Sequence, residues 1–361
     1  METGSIKQDF IDYLKDHLLD HLPEDIAAKA TVSIEEVIKG NDLRLTGVMI
    51  SENDSNITPT IYVDGQIKEA QNGKEFSYLA QNIANRFMEA RAVGFDDFDL
   101  NRVGDFNEVK NRLVTKIINR DMSRDYLSDI PYRQFGDLAI ITQIKLDSSK
   151  ESQASITIRD DMLKRWDVSF DDVIDIATKN DLEYSNPRLY PMKDVLSSMM
   201  FGEDLEQESF LPDHMDQDSP MYVFGTEEKI HGSKLLNQPE LLDRIASFLE
   251  SDLIVLPSSI HELIILPDNG TVTFNEEQLC SMISEINSTE VSPDDILSSH
   301  PMHYLKDEKV LFFEKDGEKI NMLFTRKDKD RVSIKDRLET GRQKSSETKS
   351  ESRKIVKEAA R

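Results

Sequence analysis

The apolar residues of this 361-residue chain change period along its length. A spacing near 3.6 marks a helix with one buried face, and a spacing of two marks a half-buried strand. The order in which the two alternate limits the folds available. Residues 9–22 place Phe10, Ile11, Leu14, Leu18 and Leu22 on one helical face, with Pro23 just beyond the end. Three extended runs follow, "TVSIEEVI", "LRLTGVMI" and "TPTIYVDG", the first two joined by the turn signal "KGND". Helical spacing returns over 74–93 with Phe76, Leu79, Ala80, Ile83 and Phe87, and Gly94 is placed to end that helix. Val109, Leu113, Ile117 and Ile118 predict a further helix over 107–119. Residues 1–124 therefore read as an α+β unit of a helix, a three-strand meander and two helices.

A second α+β region is expected over 125–326. "FGDLAIITQIKL" and "SQASITI" read as paired strands around "DSSKE". Two short helices follow, the first capped by Asp160 and the second by Ser169 with Asp172. Residues 202–220 are acidic and aperiodic and read as a loop or linker. "MYVFG" is a strand, 239–250 a helix, and "DLIVL" and "IHELIIL" are strands. Residues 275–287 form a helix with Asn275 and Gln278 as its capping box, and Ser292 caps a short helix with Pro293 at its first position. "EKVLFFEKDGEKINMLFTR" closes the region as a hairpin around Asp316-Gly317. The tail 327–361 is charged and nearly free of large apolar residues, which predicts disorder.

Composition narrows the functions. No apolar run approaches a bilayer span, and the first residues lack a basic start, an apolar stretch and a cleavage site. With a lone cysteine, Cys280, no disulfide forms within the chain, and cysteine-rich zinc or iron–sulfur sites are excluded. These features predict a cytoplasmic protein without a membrane partner. Net charge is −25 and uneven: the tail has 12 Lys/Arg against 7 Asp/Glu, and the rest has 32 against 62, a net of −30. So acidic a body repels phosphate backbones, so direct nucleic-acid binding is not expected of it.

The stretches "FNEVKNRLVTKIINRDMSRDYLSDIPYRQFGDLAII", "SITIRDDMLKRWDVSFDDVIDIATKNDLE", "MYVFGTEEKIHGSKLLNQPELLDRIASFLESDLIVLPSSIHELIILPD" and "LCSMISEINSTEVSPDDILS" carry a resemblance. In them the chain resembles the bacterial family catalogued as domain of unknown function 5688. "LPSSIHE" followed by "EINSTEVSPDDIL" is the most specific part. The resemblance implies an intracellular bacterial protein with the family's fold, carried near mobile genetic elements. It assigns no site residue.

Candidate chemistry is sparse. Ser259, His261 and Glu262 suggest a nucleophilic triad. On a strand, however, Glu262 points away from His261, and Ser259 lies about 7 Å from it on the same face, too far for proton transfer. The stretch reads instead as a tight core hairpin, with Ile260 and Ile264 on the face that meets Leu253 and Val255. His17 and His21 have the i, i+4 spacing of a helical metal site but no third ligand. Asp97, Asp99, Asn101, Asp105 and Glu108 fall at calcium-loop positions, yet Arg102 stands where the bend requires glycine. His300 and His303 have no supporting pattern. A helix-turn-helix reading of 162–180 fails because the second helix offers Asp171, Asp172 and Asp175 against Lys179. Leu163, Trp166, Val173, Ile176 and Ala177 read there as a packed face. No cofactor fingerprint occurs.

The leading expectation is thus a non-catalytic interaction or accessory protein with a protein partner. A hydrolase using His261 with residues from other segments is the alternative, and an acidic DNA mimic is the third. A cleft at His261 holding another segment's acid or serine would favour the enzyme. Rows of acids at phosphate spacing would favour the mimic, and an exposed apolar patch the interaction protein.

Overall fold

The structure is a computed structural model and describes residues 2–53, 58–92, 100–148, 153–202, 205, 209–212, 214–270 and 275–322. All belong to the compact unit Met1–Leu323. Its architecture is α+β, with three antiparallel sheets.

The first sheet is the expected meander: β1 (Ala30–Ile38), β2 (Arg44–Glu52) and β3 (Thr60–Tyr62), in that order. Helices α1 (Glu2–His17), α2 (Glu24–Ala27), α3 (Asp64–Gln71) and α4 (Phe76–Ala92) accompany it. Phe10, Leu14 and Leu18 of the first stripe are fully buried, as are Leu79, Ile83 and Phe87 of α4. They share one core with Val48 and Ile50 of β2. The first helix ends earlier than its stripe, and Leu18–His21 tighten into a 3-10 turn. At the tip of the β1–β2 hairpin, Asn41 and Asp42 have positive φ (57° and 51°), a conformation that short polar side chains tolerate.

The second sheet holds β4 (Leu113–Asn119), β5 (Arg133–Phe135), β6 (Leu138–Ser148) and β7 (Gln153–Thr157). β6 lies between β4 and β5, and β7 also pairs with it. The helix expected over 107–119 is therefore a correction. Only α5 (Phe106–Val109) and a 3-10 turn precede β4, which runs antiparallel to β6 from Leu113↔Ile144 to Asn119↔Leu138. The β-branched residues Val114, Thr115, Ile117 and Ile118 suit a strand. Leu113 and Ile118 also belong to different cores, so the apolar side chains occupy two faces rather than one helical stripe. α6 (Asp160–Trp166) and α7 (Phe170–Tyr184) follow. Asp160 is the first residue of α6 rather than its cap, which is Arg159. Ser169 caps α7 by accepting from the Asp172 N–H. Val173 and Ala177 pack in one core with Val109 and Leu113, and Leu163, Trp166 and Ile176 lean on it.

The third sheet has seven strands, ordered β14-β13-β12-β10-β11-β9-β8. They are β8 (Pro187–Pro191), β9 (Tyr222–Thr226), β10 (Asp252–Leu256), β11 (Glu262–Asp268), β12 (Met302–Leu305), β13 (Val310–Lys315) and β14 (Glu318–Asn321). α8 (Met192–Phe201) follows β8, α9 (Pro239–Phe248) precedes β10, and α10 (Glu276–Thr289) precedes β12. The Asp316-Gly317 hairpin forms as expected, with both residues at positive φ. The described part of 202–220 has no helix or strand, yet Phe210 and Met215 are buried in the main core. Asn275 caps α10 through the Glu277 N–H rather than in a box with Gln278. The helix expected after Ser292 is a single turn.

Register overturns one expectation about the β10–β11 pair. Val255 faces Ile265 and Leu256 faces Ile264. Leu253 and Val255 therefore share the main core with Leu263 and Ile265, not with Ile264. Ile264 lies on the other face, partly buried beside Ile254, Leu256, Leu279 and Ile283. The tail 327–361 lies outside the described residues.

Candidate functional site

Residues 257–261 do not make a tight hairpin turn. They leave β10 and pair with a separate segment before β11 begins. Ile260 N donates to the Asp295 carbonyl (2.9 Å), Leu297 N to that of Ser258 (3.1 Å) and Ser298 N to that of Pro257 (2.9 Å). Ser259 forms a β-bridge with Ile296. From the other side, Gly232 N and Ser233 N donate to the carbonyls of His261 and Ile260 (2.8 and 3.2 Å). A Cβ at position 232 would lie 2.3 Å from the His261 carbonyl oxygen, so only glycine lets the two backbones cross there. The 293–296 turn is itself held by the β1–β2 hairpin tip. Asn41 Nδ2 donates to the Pro293 and Ile296 carbonyls (both 2.8 Å), and Lys39 pairs with Asp294 (3.1 Å).

This crossing places His261 against two other segments. Its Nε2 lies 3.5 Å from Asp295 Oδ2, and its Nδ1 accepts from the His231 backbone N–H at 3.4 Å. Its ring stacks on that of His231, with centroids 5.6 Å apart and planes 13° from parallel. Ser259 Oγ accepts from the His261 N–H at 3.0 Å. The hydrogen bond from His261 holds the Asp295 carboxyl below its ordinary range. Burial first, then Lys116, His261 and Lys234, lowers His231 to about 2, so its ring is neutral at physiological pH. Burial also pushes the Lys116 ammonium down.

A cleft of about 550 Å³ opens over this crossing, within the range of small-ligand sites. Its polar end has Ser259, His261, Glu262 and Asp295, and its apolar wall has Met192, Met221, Ile264, Met282 and Ile286. Ser259, His261 and Glu262 thus share the cleft, but no hydrogen bond joins their side chains to one another. The triad geometry does not form. The acid beside His261 is Asp295, 34 residues further along. Sequence reasoning missed it because no local spacing links the two.

The metal candidates are not brought together. His17 Nδ1 meets Asp20 (3.1 Å), and His21 Nδ1 meets Gln81 (3.2 Å). The helix ends between them, which removes the i, i+4 geometry. Asp97, Asp99 and the Asn101 side chain lie outside the described residues, as does the expected cap Gly94. Asp105 caps α5, and Glu108 pairs with Arg102 (3.5 Å). His300 Nδ1 meets the buried Asp137 (3.2 Å), and His303 Nε2 meets Glu276 (3.0 Å). Among the described residues no group of three or more His, Cys, Asp or Glu is arranged to hold a metal ion. On α7, Asp171 and Asp175 pair with Arg133 (3.5 and 3.1 Å). No described helix is long and apolar enough to cross a membrane.

No curated protein and no solved structure matches this chain. A family model described as a family of unknown function (DUF5688) matches residues 7–306, a span that takes in every strand from β1 to β12. The chain belongs to that family.

Proposed function

We propose that this protein is a non-catalytic interaction protein that docks an apolar segment of a protein partner. The observation that carries the reading is α8. None of its residues is buried, and Leu196, Met199, Met200 and Phe201 are 53%, 77%, 76% and 72% exposed. Single exposed apolar residues are ordinary, but four within one short helix form a patch. The patch adjoins the cleft, because Met192, the first residue of α8, is part of the cleft wall. Methionine suits such a surface, since its flexible thioether adapts to varied side chains. Glu262, Glu290 and Asp295 against Lys229 make the cleft's fixed charge acidic, so the segment that fits has basic flanks. The single cysteine, Cys280, agrees with a reducing cytoplasm.

The hydrolase reading is favoured by one observation, the cleft at His261 with Asp295 beside it. Against it, both imidazole nitrogens are already engaged, Nδ1 by a backbone N–H and Nε2 by Asp295. Ser259 Oγ is engaged too, by the His261 N–H. The imidazole's one acceptor lone pair is thus not free for a substrate's proton. The acidic decoy has no comparable support among the described residues.

The test uses the full chain and a labelled, basic amphipathic helical peptide, followed by fluorescence anisotropy. Saturable binding is expected, lost in Met200→Glu/Phe201→Glu and kept in His261→Asn. The reading fails if the peptide does not bind, or if the double variant binds it as well as the wild type does. Turnover of a generic ester or peptide substrate that His261→Asn abolishes would replace it with the hydrolase.

A further inference from the structure

A second cleft, of about 420 Å³, lies on the other side of the segment 228–234 from the first. Its polar lining includes Arg112, Lys145, Asp181, Ser185, Glu228 and Lys234. They come from five parts of the fold: the approach to β4, β6, the end of α7 with its cap, the loop after β9, and the 3-10 turn Gly232–Asn237. The three cations outnumber the two carboxylates, in a body whose net charge is strongly negative.

The floor of this cleft is over-equipped for a structural role. Asp181 is 1% exposed, and its Oδ2 accepts from Thr115 N (2.8 Å) and Thr115 Oγ1 (2.6 Å). Those two bonds tie α7 to the outer edge of β4 and account for Oδ2. Lys234 is 8% exposed, and its Nζ lies 3.0 Å from Asp181 Oδ1. Beyond that ion pair the oxygen accepts no further hydrogen bond. Ser185 is 6% exposed, and its hydroxyl has no partner among the described residues. A buried ion pair is costly to desolvate, and a buried hydroxyl without a partner is costlier still than one that is paired. The three residues line one cleft, where the hydroxyl has no partner and the ammonium and carboxylate oxygen have only each other, short of the bonds each can make. Nearer the surface, Lys145 pairs with Glu228 at 3.0 Å, and Arg112 Nη1 donates to the Leu146 carbonyl at 2.7 Å.

We propose that this cleft binds a small carboxylate that also carries a hydroxyl or amino donor. The ligand's carboxylate accepts from Lys234 and from the Ser185 hydroxyl, and its donor group satisfies Asp181 Oδ1. Phosphate fits less well, because its charged oxygens surround its P–OH and cannot be held away from Asp181 and Glu228 as a carboxylate on a carbon chain can.

Isothermal titration of the full chain with malate, glutamate, succinate and inorganic phosphate tests this. Malate or glutamate should bind about tenfold more tightly than succinate, which lacks the second donor, and phosphate should not bind. Ser185→Ala should weaken the preferred ligand about tenfold and leave the melting temperature of the free protein unchanged or higher, because the hydroxyl it removes has no partner. Lys234→Gln should abolish binding. If that variant does not fold, Ser185→Ala decides alone. The proposal is overturned if no probe binds, if succinate or phosphate binds as well as malate and glutamate, or if Ser185→Ala binds like the wild type.

Discussion

The two clefts share a border and differ in how their buried polar groups are satisfied. At the first, His261, Ser259 and Asp295 find partners in the backbone and in one another, and much of the remaining wall is apolar. At the second, the buried Ser185 hydroxyl has no partner among the described residues, and Lys234 and Asp181 Oδ1 have only each other. The lesson concerns residue identity. A serine, a histidine and an acid look reactive on paper, yet at His261 they close on themselves. An unremarked serine elsewhere is left without a partner, beside a lysine and an acid that have only each other. Partner accounting separates the two where residue type does not.

The largest expected effect breaks the pairs that distinguish the clefts. Lys234→Met leaves a buried, uncompensated Asp181 and should cost about 3–5 kcal/mol in urea unfolding. His261→Asn disturbs a pair that is about a third exposed and 3.5 Å long, and should cost about 1 kcal/mol or less. Equal losses would mean that the two pairs play the same role. Next comes the face that each strand residue presents. Ile265→Ala, in the main core, should cost about 2–5 kcal/mol, and Ile264→Ala, in the wall of the first cleft, clearly less. The reverse order would show that the β10–β11 register is wrong. Gly232 borders both regions. Gly232→Ala forces the crossing apart, because the new Cβ also meets Gly225 Cα at 2.9 Å. It should cost about 1–3 kcal/mol and weaken peptide binding and carboxylate binding together. Loss of one without the other would show that the clefts are not coupled through the turn.

A last comparison is in the pH profile, where His231 beside the first cleft and Asp181 in the second have opposite signs. Burial lowers His231 in the fold, to about 2, so the unfolded chain binds the extra proton first. The stability held by a neutral His231 is present above its ordinary value of 6.5 and is lost as pH falls below it. Burial raises the Asp181 carboxyl, against the opposing pull of Lys234 and Thr115. Its contribution is complete below the ordinary 3.8 and is lost as pH rises through the folded value. Urea midpoints measured from pH 7 to 4 should therefore fall less steeply in His231→Gln than in the wild type, and more steeply in Asp181→Asn. An unchanged slope in His231→Gln would mean that the imidazole is not held neutral by burial.

Elements whose partners are near in sequence were legible. The β1–β2 hairpin, the stripe of α4, the Ser169 cap and the Asp316-Gly317 turn all depend on residues a few positions apart, which a periodicity reading samples directly. β4 was not legible. Val109, Leu113 and Ile117 repeat every four residues, and the partner that makes 113–119 a strand begins at Leu138. The exposed face of α8 was missed for a related reason, since its apolar residues are unusual only in what fails to cover them. In the first cleft, Ser259, His261 and Glu262 were found by residue type, and Asp295 and His231 were not found at all. The Lys234 cleft gave no signal, because Asp181, Ser185 and Lys234 are individually ordinary residues.

By itself the sequence determined the α+β class, the meander with its helices, the acidic charge, and the lack of a local triad or calcium bend. Each follows from short-range spacing or composition, which survive in any conformation of the chain. Only the tertiary structure decided which face of β11 enters the core, that the 113–119 run pairs with β6, and which buried polar groups keep unused bonds. Those outcomes depend on segments tens to hundreds of residues apart coming within hydrogen-bond reach. A single slip of register would exchange the core face of β11 for the cleft face.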